Sequence, residues 1–238
     1  MKKILILAIT MALFTHTIMA SDSDSKNDGG FGIKAGVGLT TFGFSTESAM
    51  DQKNRMKVGG FIAASYEKRF GKVFALDFEL GYANKGAQQK GNYNILGNTG
   101  TLTVKYNLHC IELPISGKFY IGDNFNINIG PYVSYYFLGH FKTIKRPTDG
   151  ATDIKTSENL YDNNNNPQDA EGDRMFRHFD AGANVGLEFV SNMGLGVGTR
   201  FQNGFVDFTN PKYGGSGFGN DGKWVTNTGI QIYLLFRM

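Results

Sequence analysis

Residues 74–83 read Phe-Ala-Leu-Asp-Phe-Glu-Leu-Gly-Tyr-Ala. Phe74, Leu76, Phe78, Leu80 and Tyr82 are apolar, and Ala75, Asp77, Glu79, Gly81 and Ala83 stand between them. Successive side chains of a strand point to opposite faces, so the segment is a strand with one apolar face and one that carries two carboxylates. The pattern recurs on both sides. Phe31, Ile33, Ala35, Val37 and Leu39 oppose Gly32, Lys34, Gly36, Gly38 and Thr40, and Val58, Ile62, Ala64 and Tyr66 oppose Gly59, Ser65 and Glu67, with Phe61 breaking the polarity. Further runs fall at 102–115, 125–137, 179–189, 195–202 and 224–237. In the first of these the apolar parity changes from Leu102, Val104, Tyr106 and Leu108 to Ile111, Leu113 and Ile115. An extra residue in one strand produces such a phase change, which places a bulge near His109–Cys110.

The connections decide between a soluble sandwich and a membrane barrel. Short links at 68–72, 120–124 and 190–193 alternate with long polar ones at 42–55, 84–100, 139–177 and 203–223. Short turns at one end and long loops at the other describe an outer-membrane barrel. The expected fold is all-β: an eight-stranded antiparallel transmembrane up-and-down β-barrel over residues 31–238. No Asp, Glu, Lys or Arg lies on the apolar faces, so those faces are expected to meet lipid. Aromatics gather at strand ends, with Tyr66, Phe74, Phe119, Phe125, Phe189 and Phe236 by the turns and Tyr82, Phe137, Phe179, Phe201 and Trp224 by the loops. Two such groups suit the girdles at the membrane interfaces. Leu76 is expected to face lipid, and arginine there would cost about 2–4 kcal/mol at mid-membrane depth.

Composition agrees with this reading. The chain has 238 residues, 32 glycines, 13% aromatics, five prolines and one cysteine. One cysteine excludes an internal disulfide framework. Beyond the N-terminus no apolar run approaches the roughly 18 residues of a membrane helix. Alternation dilutes hydropathy without excluding a barrel. Met1-Lys2-Lys3, the apolar run 4–14 and Ile18-Met19-Ala20 fit a cleavable signal peptide over residues 1–20, and the polar residues 21–30 read as a flexible leader. Removing residues 1–20 takes away Lys2 and Lys3 and no acid, so the formal charge of +3 becomes +1. A near-neutral chain offers no electrostatic case for nucleic acid.

Residues 106–136 contain Glu112-Leu113-Pro114, Lys118-Phe119-Tyr120 and Gly130-Pro131-Tyr132. This order resembles the PorT-type outer-membrane β-barrel family of Gram-negative bacteria, as do Phe179-Asp180-Ala181-Gly182 and the 198–204 strand ending. The resemblance spans most of 31–238. It implies a small outer-membrane barrel and does not by itself imply a part in protein secretion. Asn227, Gly229, Ile232 and Leu234, ending in Phe236-Arg237-Met238, resemble the insertion signal read by the barrel-assembly machinery, although Phe236 lies two residues short of the usual aromatic end. Pro114 and Pro131 are nearly equidistant from the 120–124 turn. Proline removes a ladder hydrogen bond, so a local ladder defect is expected where the two meet.

Chemistry is harder to find. No Gly-Lys-Ser/Thr phosphate loop, His-Glu-x-x-His or Cys-x-x-Cys occurs. Cys110 reads as a buried bystander. His140 and His178 flank the third loop and could hold a metal or serve a lipid-modifying hydrolase, but isolated rim histidines are the simpler reading. Asp162, Asn164, Asn166 and Asp173 have calcium-loop spacing, yet Pro167 stands where that loop needs glycine. Small glycines on the inner face leave room for Lys34, Asp77, Glu79, Glu112, Lys118, Asp180, Glu188, Arg200 and Arg237, the expected polar network of the interior. An eight-stranded lumen is just wide enough to be filled by side chains, which favours an ion-paired plug over a narrow pore. The expected protein is a monomeric, non-enzymatic barrel without a cofactor. Its expected partners are outer-membrane lipid, the assembly machinery during insertion, and an envelope or extracellular protein met by the loops.

Overall fold

The computed structural model describes residues 29–42, 52–95, 98–148, 152–161, 176–207 and 225–238. The expected signal peptide and leader, the calcium-like spacing at 162–173 and Trp224 lie outside the described residues. The strands are β1 (Gly29–Phe42), β2 (Gln52–Phe70), β3 (Phe74–Ile95), β4 (Asn98–Ile121), β5 (Phe125–Pro147), β6 (Ile154–Asn159), β7 (Phe179–Val190), β8 (Leu195–Gly204) and β9 (Asn227–Arg237). Each barrel strand pairs antiparallel with its neighbours, β4 pairs with β5, and β1 pairs with β9, which closes a ring of eight. β6 stands outside the ring and pairs with β5 near its loop end. Closure gives every wall strand a partner on both sides, the condition a sheet must meet in hydrocarbon.

The expected faces appear in the wall. Val37, Ile62, Leu113, Ile129, Leu187 and Ile232 point outward and are exposed. Lys34, Asp77, Glu79, Glu112, Glu188 and Arg200 point inward and are buried. At the turn end Phe74 packs on Phe119 with ring centroids 5.3 Å apart, and at the loop end Tyr82 and Phe137 lie 6.5 Å apart. Leu76 needs a correction. It pairs with Lys68 and Gly117, one outward step from the Phe74–Phe119 pair, so it sits by the interface and not at mid-membrane.

The wall is taller on one side than the sequence pattern indicates. β3, β4 and β5 have 22, 24 and 23 residues, whereas β7, β8 and β9 have 12, 10 and 11. Most of the segment read as a loop at 84–100, the end of the one at 42–55 and the start of the one at 139–177 are therefore strand. Beyond the lipid both faces of a strand meet water or headgroups, so the apolar marker that reveals a strand disappears.

The bulge lies at the expected level but on the other strand. His109 pairs with Leu138 and Cys110 with Tyr136, so the extra residue is Phe137 of β5. β4 keeps its alternation, with Tyr106, Leu108, Cys110 and Glu112 all buried. The apparent parity change marks a switch in what the interior holds, from apolar to charged. A second extra residue lies on β2 between Met56 and Phe61.

Near the prolines the β4–β5 pairing is interrupted between Pro114–Tyr132 and Gly117–Ile129 without a change of register. Asn184 of β7 patches the gap. Its Nδ2 donates to the Gly130 carbonyl at 3.0 Å, and its Oδ1 accepts from the Ser116 hydroxyl at 3.1 Å. A Cβ on Gly130 would fall 1.9 Å from the Ile115 carbonyl oxygen, so only glycine lets the two backbones approach this closely.

Candidate functional site

Two layers fill the lumen. The layer nearer the turns is ionic. Lys34 Nζ, on β1, donates to Asp77 Oδ2 at 2.7 Å, Glu79 Oε1 at 2.7 Å and Glu188 Oε1 at 2.8 Å. Lys118 Nζ, on β4, lies 2.9 Å from Asp77, 2.7 Å from Glu188 and 3.1 Å from Glu67. Arg200 of β8 reaches Glu79 at 2.9 Å and turns its other nitrogens to the Gln231 side-chain oxygen. Arg237 pairs with Glu67. Tyr120 and Tyr233 donate to Glu67 and Glu188 at 2.6 and 2.9 Å. Each buried carboxylate here meets at least one cation, which is what makes burial of such groups tolerable.

Glycines make the room. A Cβ on Gly36 or Gly198 would fall 2.7 or 2.5 Å from Tyr233 side-chain atoms. Gly36 thus lets the Tyr233 Cα–Cβ approach, while the Tyr233 ring lies over Gly198 and aims its hydroxyl at Glu188.

Above that layer Lys85 pairs with Glu112, which also accepts from Ser134 at 3.0 Å. Asp180 accepts from the Tyr132 hydroxyl at 3.2 Å and is not ion-paired among the described residues. Lys34, Asp77, Glu79, Lys118, Glu188, Arg200 and Arg237 thus belong to one linked set, while Glu112 and Asp180 stand apart from it. Glu67 and Lys85 are further interior members, absent from the expected network. The alternation already sets Glu67 on the polar face with Ser65, without pointing to its ion pairs. Lys85 lies past the last alternating residue of its segment and carries no such signal.

The layer nearer the loops is apolar. Phe42, Tyr106, Leu108, Tyr136, Leu160, Phe176 and Val225 are buried together with Cys110. Leu160 and Phe176 come from the third loop and fold back over the mouth, where Phe176 packs on Tyr106 with centroids 5.8 Å apart. The Cys110 thiol is fully buried beside the Ala83 carbonyl oxygen.

The two rim histidines sit in different settings. His178 is stacked between Tyr135 and Tyr161, with centroids 5.4 and 4.3 Å away, and its Nδ1 faces the Tyr136 carbonyl. His140 pairs across the sheet with Asn107 and Asn159. No group of three potential metal ligands occurs among the described residues.

A closed ring of eight antiparallel strands, apolar outside and ionic within, defines a membrane β-barrel. Residues 20–235 match the family model of the outer membrane protein beta-barrel domain, and the chain belongs to that family, in the outer membrane. Solved structures of outer-membrane proteins are similar to the chain at low identity. Neisserial surface protein A is 11% identical, with 87% of this chain and 97% of that one covered and a TM-score of 0.45. The attachment invasion locus protein Ail of Yersinia pestis, in complex with the heparin analogue sucrose octasulfate, is 10% identical over 89% and 99%, with a TM-score of 0.38. OprG from Pseudomonas aeruginosa is 10% identical over 90% and 97%, with a TM-score of 0.34. No curated protein matches the chain.

Proposed function

We propose that the chain is a plugged, non-enzymatic barrel whose loop end meets an envelope or extracellular partner. In this reading residues 1–20 direct export, and the barrel-assembly machinery inserts the protein as a monomer. One observation supports it above others: ionic contacts cross the lumen, from Lys34 on β1 to Glu188 on β7 and from Arg200 on β8 to Glu79 on β3. An interior of this size, so bridged, is a packed core. The tall β3–β5 side then becomes the feature offered to the outside. The PorT-type resemblance of residues 106–136 and 179–204 supports the barrel, and a secretion-associated role does not follow from it alone.

Planar bilayers test the plug. The purified protein is expected to show no steady conductance, and a steady single-channel current overturns the reading. The non-enzymatic part is tested with phospholipid vesicles. No acyl release is expected, and release abolished by His140→Ala would replace this reading with a lipid-modifying enzyme.

A further inference from the structure

Outside the lumen the tall side of the wall carries a second set of charges, arranged quite differently. Directly paired residues share a face of a sheet, so the register gives the outward rows. Asn84, His109 and Leu138 form the row next above Tyr82, Ile111 and Tyr135. Above it lie Gly86, Asn107, His140 and Asn159. The following row is Arg55, Gln88, Lys105, Lys142 and Ser157, and the one above that is Lys53, Lys90, Thr103, Ile144 and Lys155. Lys57, at the β2 bulge, reaches down to the Asn84 side-chain oxygen at 2.6 Å.

These four rows contain no acid. Glu158 pairs with Phe141 on the opposite face, and Asp153 pairs with Arg146 beyond the rows. Lys53 stands directly opposite Lys90, and Lys105 directly opposite Lys142, all four exposed. Like charges directly opposite each other destabilise a sheet. An anion seated between two ammonium groups reverses that sign.

The position of the rows selects the anion. They face sideways and continue the lipid-facing surface upward, starting at the Tyr82–Tyr135 aromatic row. At 3.4 Å per residue and a tilt near 45°, each row adds about 5 Å of height. The Lys105–Lys142 pair therefore stands about 10 Å above the Asn84–His109 row. A soluble partner approaching from outside meets the loop tips first. What packs laterally against a barrel wall at this depth is the headgroup of a neighbouring lipid, and basic clusters at a membrane surface recognise anionic ones. We propose that the outward wall of β2–β6 binds the phosphate groups of anionic outer-leaflet lipid, through Arg55, Lys57, Lys105 and Lys142 first and Lys53, Lys90 and Lys155 above them.

The test uses the full chain, purified in neutral detergent, and Lys105→Gln/Lys142→Gln with heat-modifiable mobility as the fold check. Bisphosphorylated lipid A is the probe, read by native mass spectrometry at low salt. The double variant is expected to bind about thirtyfold more weakly, from the loss of two surface lysines. Lys68→Gln/Lys72→Gln, at the turn end, is expected to bind as wild type. Dephosphorylated lipid A and inorganic phosphate are expected to bind poorly, the first for want of charge and the second for want of lateral anchoring. Thermal unfolding supplies a sign reversal: the variant is at least as stable as wild type without lipid, because Lys–Lys repulsion is gone, and less stable than wild type with it. Equal binding of the dephosphorylated lipid, or equal binding by the double variant, overturns the proposal. Preference for a sulfated polysaccharide over the lipid overturns it in favour of an extracellular polyanion.

Discussion

The two layers of the lumen are built from different parts of the chain. The ionic layer draws Lys34, Glu67, Asp77, Glu79, Lys118, Glu188, Arg200 and Arg237 from strands alone. The apolar layer adds Leu160 and Phe176 from a loop to Phe42, Tyr106 and Leu108 from strands. Ion pairs hold only at a narrow range of distances, so they need donors and acceptors whose places a ladder has already set. Apolar contacts are non-directional and tolerate a contribution from a loop. The difference implies that the ionic layer is the more exacting of the two and the apolar layer the more adaptable.

Lys34→Met is the strongest attempt to break that contrast. It leaves Asp77, Glu79 and Glu188 facing one another without their shared cation. Removing one member of a buried ion-pair set costs about 3–5 kcal/mol, read by urea unfolding in lipid vesicles. A loss under about 1 kcal/mol would show that the ionic layer is not exacting. The wall comes next. Ile232 is 58% exposed on the outward face and pairs with Val37, which is 59% exposed. Ile232→Arg should cost about 2–4 kcal/mol, whereas Leu76→Arg, near the interface, should cost about 0–1 kcal/mol. Equal costs would mean that these depths are misplaced.

Leu108→Ala probes the apolar layer. About 2 kcal/mol is expected, the low end for a buried leucine, because Leu160 and Phe176 can settle into the space. A loss near 5 kcal/mol would make this layer as unforgiving as the other. The smallest effect is expected for Lys85→Met with Glu112→Leu. That pair stands apart from the linked set, and replacing a whole buried pair by apolar groups is often neutral and sometimes stabilising, so no loss of stability is expected. A loss comparable to Lys34→Met would join it energetically to the ionic layer.

How much of this could be read from residue order follows from the same physics. The eight ring strands were legible because lipid outside and charge inside impose a strict period of two. Asp77 and Glu79 declare their side by standing between Leu76, Phe78 and Leu80. Lys85, Lys105 and Lys142 declare nothing, because their strands have risen clear of the hydrocarbon. Tyr106 and Leu108 misled for the opposite reason: they are apolar residues facing a lumen expected to be polar, so a bulge on β5 looked like one on β4. The rows of cations on the tall wall depend on cross-strand register, which no single segment contains.

The ionic layer also bears on how such a barrel is made. Lys34 and Glu188 are separated by 154 residues, and Arg237 and Glu67 by 170. No hairpin can satisfy these groups by itself. An unfinished sheet, with β9 not yet docked on β1, would hold Glu67 without Arg237 and expose its own open edges. Long-range contacts of this kind form late and slowly, and partial structures gain little from them until the ring shuts. The charges in the middle of the barrel thereby favour completion over every half-built alternative, so that maturation at the seam approaches an all-or-none event.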